Sequence, residues 1–322
     1  MKTLKRRTMM ALTGLLPATA GRVEAQGGAM RTIGLLAIEA PGHDQFDSLM
    51  RQDMAELGYV EGRDVRYLFR ASARPDGLDA LAAELVESKA DVIVTWYTPA
   101  ALAAKRTTRT IPIVMALAGN PVETGIVSSL AKPGGNITGL SGTSAELGRK
   151  CMELAHEILP GARQVAALAN GKDPFSGPFL QMARDGGDVT GLSILPVVIM
   201  DAETLPDAIA EAKRMGAQAL LVQPSLPRRR IAELALAAGL PAFSVANGFN
   251  RDGGLLSYAA HEPDIYRRAA AMIDKVLKGT PPSDIPIELP TRYALQINLR
   301  TARALGVAVP ETLLVRADDL IE

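Results

Sequence analysis

The sequence predicts an α/β protein of two lobes, each a mostly parallel sheet covered by helices on both faces. Three observations predict it. Short, continuously apolar strands alternate with amphipathic helices, the alternation starts afresh near residue 143, and residues 253–322 hold too few elements for a third domain.

The first lobe is read over residues 31–142. It opens with the apolar run at residues 32–38, followed by a helix over 44–57 that carries Phe46, Leu49, Met50, Ala55 and Leu57 mostly on one side and stops at Gly58. Residues 65–69 form the next strand, and a helix starting near Pro75 points Leu78, Leu81, Ala82 and Leu85 inward. A strand at 91–95, a helix from Pro99, a strand at 111–115, a helix from Pro121 and a strand at 137–140 complete the lobe. Pro133-Gly134-Gly135-Asn136 is a tight turn whose glycines serve positive-φ positions.

The second lobe is read over residues 143–252. Thr143 and Glu146 make a capping box for a helix through Leu159, with Leu147, Cys151, Leu154 and Ile158 as its apolar stripe. Strands follow at 165–168, 192–199, 219–222 and 241–245, separated by helical segments near Phe175, at 205–215 and at 229–238. Two units of four or five strands each are more natural than one large sheet. Residues 253–322 read as returning segments that complete both lobes and the hinge: a strand ending near Tyr258, a helix over 264–277, a strand at 285–289 and a helix over 293–305. Several crossings let two rigid lobes close over a cleft.

At the start of the chain, Lys5, Arg6 and Arg7 precede a short apolar run to Leu16, and Val23-Glu24-Ala25 places small residues where a signal peptidase reads. Residues 1–25 are therefore expected to be a signal peptide cut after Ala25, by the general or the twin-arginine route, with a periplasmic destination. Removing them leaves 30 basic against 34 acidic residues, a net charge near −4. That balance gives no electrostatic case for nucleic acid or anionic lipid, and no later run suggests membrane insertion. A single cysteine, Cys151, excludes an internal disulfide; its place on an apolar stripe marks a buried thiol.

Ligands of parallel sheets collect beyond the carboxyl ends of strands, where helix N-termini offer unpaired amides. In Trp96-Tyr97-Thr98-Pro99-Ala100-Ala101, Thr98 caps a helix, Pro99 fits its first turn, and the amides of Ala100 and Ala101 can hold a carboxylate. The alternative is that Thr98-Pro99 only starts a helix. Trp96, the sole tryptophan, is either a pocket wall or lobe packing. Asn120 caps the helix from Pro121, with Glu123 closing the box, and is a further candidate contact. The comparable strand ends of the second lobe present Asn170 and Asp173, Gln223 and Ser225, and Asn247. Asn170 and Asp173 either meet a ligand amine or bond their own loop. Tyr258 either reaches the ligand or braces the lobes.

Catalytic and cofactor chemistry has no footing. His43, His156 and His261 lack zinc spacing, and there is no nucleophile elbow, phosphate loop or dinucleotide fingerprint. No cofactor, metal or catalytic residue is expected.

Across almost the whole mature chain the sequence resembles the tryptophan/tyrosine-type ABC transporter substrate-binding family, a branch of the type I periplasmic binding fold. The resemblance rests on an ordered series: Glu56-Leu57-Gly58-Tyr59-Val60-Glu61-Gly62, Thr98-Pro99-Ala100-Ala101-Leu102-Ala103-Ala104-Lys105, Ile111-Pro112-Ile113-Val114, Pro133-Gly134-Gly135-Asn136-Ile137-Thr138-Gly139, Gly253-Gly254-Leu255-Leu256-Ser257-Tyr258, and residues 298–306. It implies a monomeric, extracytoplasmic receptor that hands a small carboxylate-bearing solute, an amino acid or another small carboxylate, to an ABC importer permease. By the same resemblance, Thr98 to Ala101 hold the ligand carboxylate, with the Asn120 and Asn170 loops and Tyr258 nearby. Two departures touch the second lobe: Asn170-Gly171 stands where the family usually has Asn-Pro, and residues 175–187 are shorter and richer in glycine than the usual helix. The same fold would also suit a ligand-sensing partner of a membrane receptor, and an acid/base pair in the cleft would point to a periplasmic enzyme.

Overall fold

The structure is a computed structural model that describes residues 30–38, 43–142 and 145–322; the expected signal peptide and the Thr143 cap lie outside the described residues. In the first half, β1 (Arg31–Ile38), α1 (His43–Glu56), β2 (Val65–Ser72), α2 (Leu78–Glu87), β3 (Val92–Trp96), α3 (Thr98–Thr107), β4 (Ile113–Ala118) and β5 (Ile137–Ser141) follow in order. Their strands form a five-stranded parallel sheet, β2-β1-β3-β4-β5. Strands β1 and β3 to β5 are almost entirely buried, as a sheet sandwiched between helices requires.

The second half runs α4 (Ala145–Ile158), β6 (Gln164–Asn170), α5 (Ser176–Thr190), β7 (Ser193–Ile199), α6 (Leu205–Arg214), β8 (Ala219–Val222), α7 (Arg228–Ala238), β9 (Ala242–Ser244) and β10 (Leu256–Ala260). Then come α8 (Glu262–Leu277), β11 (Tyr293–Asn298), α9 (Leu299–Leu305), α10 (Glu311–Arg316) and β12 (Asp319–Ile321). The second sheet has seven strands, β12-β11-β10-β9-β8-β6-β7, parallel except between β10 and β11.

Between the sheets the chain passes three times: from β5 to α4, from β10 to α8, and from the segment around Glu288 to β11. Helix α8 packs on α1, β3, β4 and β5, so it belongs to the first lobe although it follows a strand of the second. Glu288 bonds the edge of β5, its amide donating to Gly139 O at 3.0 Å and its carbonyl accepting from Ser141 N at 2.9 Å. Tyr293, where the chain re-enters the second sheet, packs against the cores of both lobes.

Three expected elements differ. The helix expected from Pro121 is a succession of turns: Ile126 N and Val127 N both donate to Pro121 O, and Gly125, at φ 74°, ends the run after one turn. The helix expected over 293–305 is strand β11 followed by the short α9, because Asn298 caps the helix itself, its Oδ1 accepting from Thr301 N at 2.9 Å. The strand expected at 285–289 is a single bridge between Glu288 and Leu140. The turn at Gly134 and Gly135 takes φ of 71° and 62°, the left-handed conformation expected of it.

Helix α5 is a full 15-residue helix despite Gly186 and Gly187. Its glycine has a packing reason. A Cβ on Gly186 would fall 2.7 Å from Met152 Cγ of α4, and one on Gly148 of α4 would fall 2.0 Å from Met182 Cγ of α5. Each glycine seats the other helix's methionine. On an open helix face Gly→Ala gains about 1 kcal/mol; here Gly148→Ala is expected to lower stability by about 1–3 kcal/mol through overpacking. Urea unfolding of the two proteins checks the sign, and a stabilised variant would contradict the packing account.

Candidate ligand-binding cleft

The carboxyl ends of β3 and β4 face those of β6, β8 and β9 across a space of about 500 Å3, counted out to solvent. From the first lobe it is lined by Trp96, Tyr97, Thr98 and residues 117–119; from the second by Asp173, Phe175, Pro224, Ser225 and residues 245–247. Gly142, Ala259 and Ala260, beside two of the crossings, close the back.

Backbone strain marks the first lobe's side. Tyr97 follows β3 at φ 71° and Asn120 follows the end of β4 at φ 36°, positions costly for residues with a Cβ. Tyr97, not Thr98, is the cap residue of α3, and Thr98 is its first residue. The Thr98 hydroxyl bonds Gly119 instead, accepting from its N at 2.9 Å and reaching its carbonyl at 3.3 Å. Of the two amides expected to hold a carboxylate, that of Ala101 is taken up by the helix. Ala101 N donates to Tyr97 O at 3.2 Å, and Pro99, Ala100 and Ala101 pack inward, because the alanine face of α3 lies against the sheet. Asn120 also lies outside the lining; its Oδ1 accepts from Glu123 N at 3.4 Å, a local turn contact.

Trp96 serves both roles that the sequence left open. It lines the cleft yet is only 6% exposed, stacked on Phe46 at 5.2 Å and on Tyr266 of α8 at 5.1 Å, with Tyr97 tilted beside it at 5.3 Å. Helix α8 thus returns to the first lobe to support its cleft wall.

In the second lobe, four candidates from two loops meet. Asp173, 3% exposed, accepts from Phe175 N at 2.9 Å through Oδ1, and from Gln223 Nε2 at 2.8 Å and Ser225 Oγ at 2.6 Å through Oδ2. Gln223 in turn accepts from Asn170 N at 2.7 Å, and the Asn170 amide reaches Ser225 at 3.4 Å. Burial pushes the Asp173 carboxyl above the usual carboxylate range, while the three donors, Ser225 foremost, pull it back. All those partners are neutral. Asn170 and Gln223 sit behind the lining and hold the loops, whereas Asp173 and Ser225 face the cleft.

Asn247 lines the cleft while its Nδ2 donates to Ala260 O at 2.6 Å, fastening the β9 loop to a crossing. Tyr258 lies elsewhere. The pleat of β10 turns it toward α4, where it shares a separate cavity with Glu146, Arg149 and Lys150 and stacks on Tyr293 at 5.6 Å.

Sequence reasoning missed Arg228. It is 2% exposed at the first position of α7, donating to Asn247 O at 2.8 Å with its Nε 3.2 Å from Asp252 Oδ2. Its field acts on Tyr97 and Glu262 of the first lobe. Burial raises Glu262, against the Tyr266 hydroxyl and Arg228, which lower it. The signal was the cation itself: arginine at a helix N-terminus opposes the helix dipole and needs a compensating acid.

With this geometry the sequence profile described as "ABC transporter substrate binding protein" matches residues 33–321. The chain belongs to the ABC transporter substrate binding protein family. A tyrosine-binding protein of Clostridioides difficile (strain R20291) is 27% identical over 280 residues, covering 84% of this chain and 79% of that protein. Among solved structures, the ABC domain of Streptococcus pneumonia in complex with L-Trp superposes with a TM-score of 0.84 at 24% identity, covering 91% of this chain and all of that one. A conserved domain protein from Vibrio cholerae O1 biovar eltor strain N16961 gives the same TM-score at 23% identity, over 90% and 99%. The fold is thus the two-lobed, type I periplasmic-binding-protein arrangement, and the family is one of solute-binding proteins. Among the described residues no helix is long and apolar enough to cross a membrane, and Cys151 is buried, its thiol pushed up to about 12.

Asp173→Asn keeps an acceptor for Phe175 N but turns an amide toward two donors, an expected cost of about 1–3 kcal/mol. Because the folded-state pKa of Asp173 is raised, its contribution is largest below the unfolded value near pH 4 and is lost as pH rises through the folded value. The gap between wild type and variant in urea unfolding is therefore expected to be wider near pH 4 than near pH 7. A gap that widens toward neutral pH would reverse the assigned shift.

Proposed function

We infer that the chain is the extracytoplasmic solute-binding component of an ABC importer, and that it captures an amino acid by closing its lobes. One observation carries this reading: a cleft between two lobes sets Trp96, Tyr97 and Phe175 beside a buried carboxylate whose partners are all neutral donors. An ammonium group gives Asp173 the counter-charge that its own loops do not supply. The aromatic walls suit an apolar side chain. The tyrosine-binding relative and the L-Trp complex have solutes of this chemistry.

In this reading residues 1–25 are a signal peptide cut after Ala25, residues 31–142 and 143–252 are the lobes, and residues 253–322 complete both lobes and the hinge. The solute docks first on one lobe; closure adds the contacts of the other and presents a joined surface to the permease. The extent of closure depends on how much better the closed form binds.

Calorimetric titration of L-tyrosine, L-tryptophan and L-leucine into refolded mature protein tests the reading, with N-acetyl-L-tyrosine as the control that lacks an ammonium. At least one free amino acid is expected to bind at one per chain. Acetylation is expected to weaken L-tyrosine by roughly 100-fold, as loss of a buried charge pair does. Equal binding of L-tyrosine and its acetylated form would remove Asp173 from solute recognition.

A further inference from the structure

Across the cleft, the Phe175 ring of the second lobe is seated on Gly119 of the first. Gly119 lies just past β4, and Phe175 stands in the loop after β6, yet a Cβ built on Gly119 would fall 2.6 Å from both Cγ and Cδ2 of Phe175 and 2.8 Å from Cδ1. No side chain larger than hydrogen fits there while the lobes hold this position. The ring cannot swing aside freely, because Phe175 is 5% exposed and packs edge-on against Phe179 at 6.1 Å.

Both halves of this contact are fixed by residues of the cleft. Thr98 bonds the amide and carbonyl of Gly119, and the Thr124 hydroxyl reaches the same carbonyl at 3.3 Å. On the opposite side, Asp173 accepts from the amide of Phe175, and its other oxygen ties that loop to Gln223 and Ser225. The seat is therefore held by the first lobe's strand ends and the ring by the second lobe's polar network.

We propose that Phe175 and Gly119 form a closing latch: the Phe175 ring docks on the bare backbone of Gly119 only when the lobes shut, and Asp173 couples the ring's position to the occupant of the cleft. The inference rests on the solute-capture reading for its role and deepens it. The same carboxylate that meets an ammonium also holds the Phe175 backbone, so an occupant reinforces a closure that the ring and its seat already favour in its absence. Thr98 and Asp173 act here as positioning residues.

Gly119→Ala is the decisive variant. The φ of Gly119 lies outside the left-handed range, so alanine brings no conformational penalty to either lobe and its cost arises only on closure. Small-angle scattering without added solute reads the latch directly: Gly119→Ala is expected to have a larger radius of gyration than wild type at an unchanged melting temperature. Titration of the amino acid that binds wild type is expected to give Gly119→Ala a Kd about tenfold higher or more, with a similar loss for Phe175→Ala. In the double variant the two losses are expected to overlap rather than add, because either change alone breaks the same contact. Equal radii for wild type and Gly119→Ala overturn the latch, as does tighter binding by Gly119→Ala, which would make the ring an obstructing plug. If wild type binds none of the amino acids, the capture reading fails while the scattering still decides the latch.

Discussion

A carboxylate buried at the end of a parallel strand must be given donors, and at Asp173 the residues that supply them shape half of the cleft. Ser225 and Gln223 come from the end of β8, and Asn170 from the end of β6, so satisfying one acid draws two strand-end loops to a fixed geometry. The backbone of Phe175 completes the set and sets the direction of the ring that reaches the first lobe. Removing this acid would leave a glutamine and a serine without their common acceptor, in a place where water cannot replace it cheaply.

The first lobe answers with strain and stacking rather than charge. Tyr97 and Asn120, at the ends of adjacent strands, hold φ values that cost about 1–3 kcal/mol each. That cost is sustained by the Thr98 bonds to Gly119 and by the aromatic stack of Phe46, Trp96 and Tyr266. Since Tyr266 belongs to α8, the first lobe's wall of the cleft depends on a helix contributed after the chain has already built most of the second lobe. Arg228 of α7, paired with Asp252, also acts electrostatically on the half-buried Glu262 of α8, one helix on each lobe.

The periodicity of the sequence made most of the two sheets legible, because continuously apolar strands between amphipathic helices admit few other arrangements. The strand-end rule then reached Trp96, Thr98, Asp173, Ser225 and Asn247, all of which line the cleft. It failed where a side chain's direction, not its place in the chain, decides. Tyr258 sits on a strand of the right sheet but on its far face. The helix expected over 293–305 failed because Tyr293-Ala294-Leu295-Gln296-Ile297 suits either period, and only pairing with β10 settles it as a strand. Gly119, Phe175 and Arg228 were missed for a different reason: their meaning lies in contacts across more than fifty residues of sequence or in a helix dipole opposed, neither of which is a local pattern.

In the proposed function an amino acid is held between the lobes against Trp96. As the only tryptophan, Trp96 reports on that wall without interference from elsewhere in the chain. The most direct measurement is its fluorescence during titration with the free amino acid that binds. A saturable change in emission is expected, with the same midpoint as calorimetric binding, and lost when the ammonium is acetylated. Saturable binding with an unchanged Trp96 spectrum would place the solute elsewhere and contradict it.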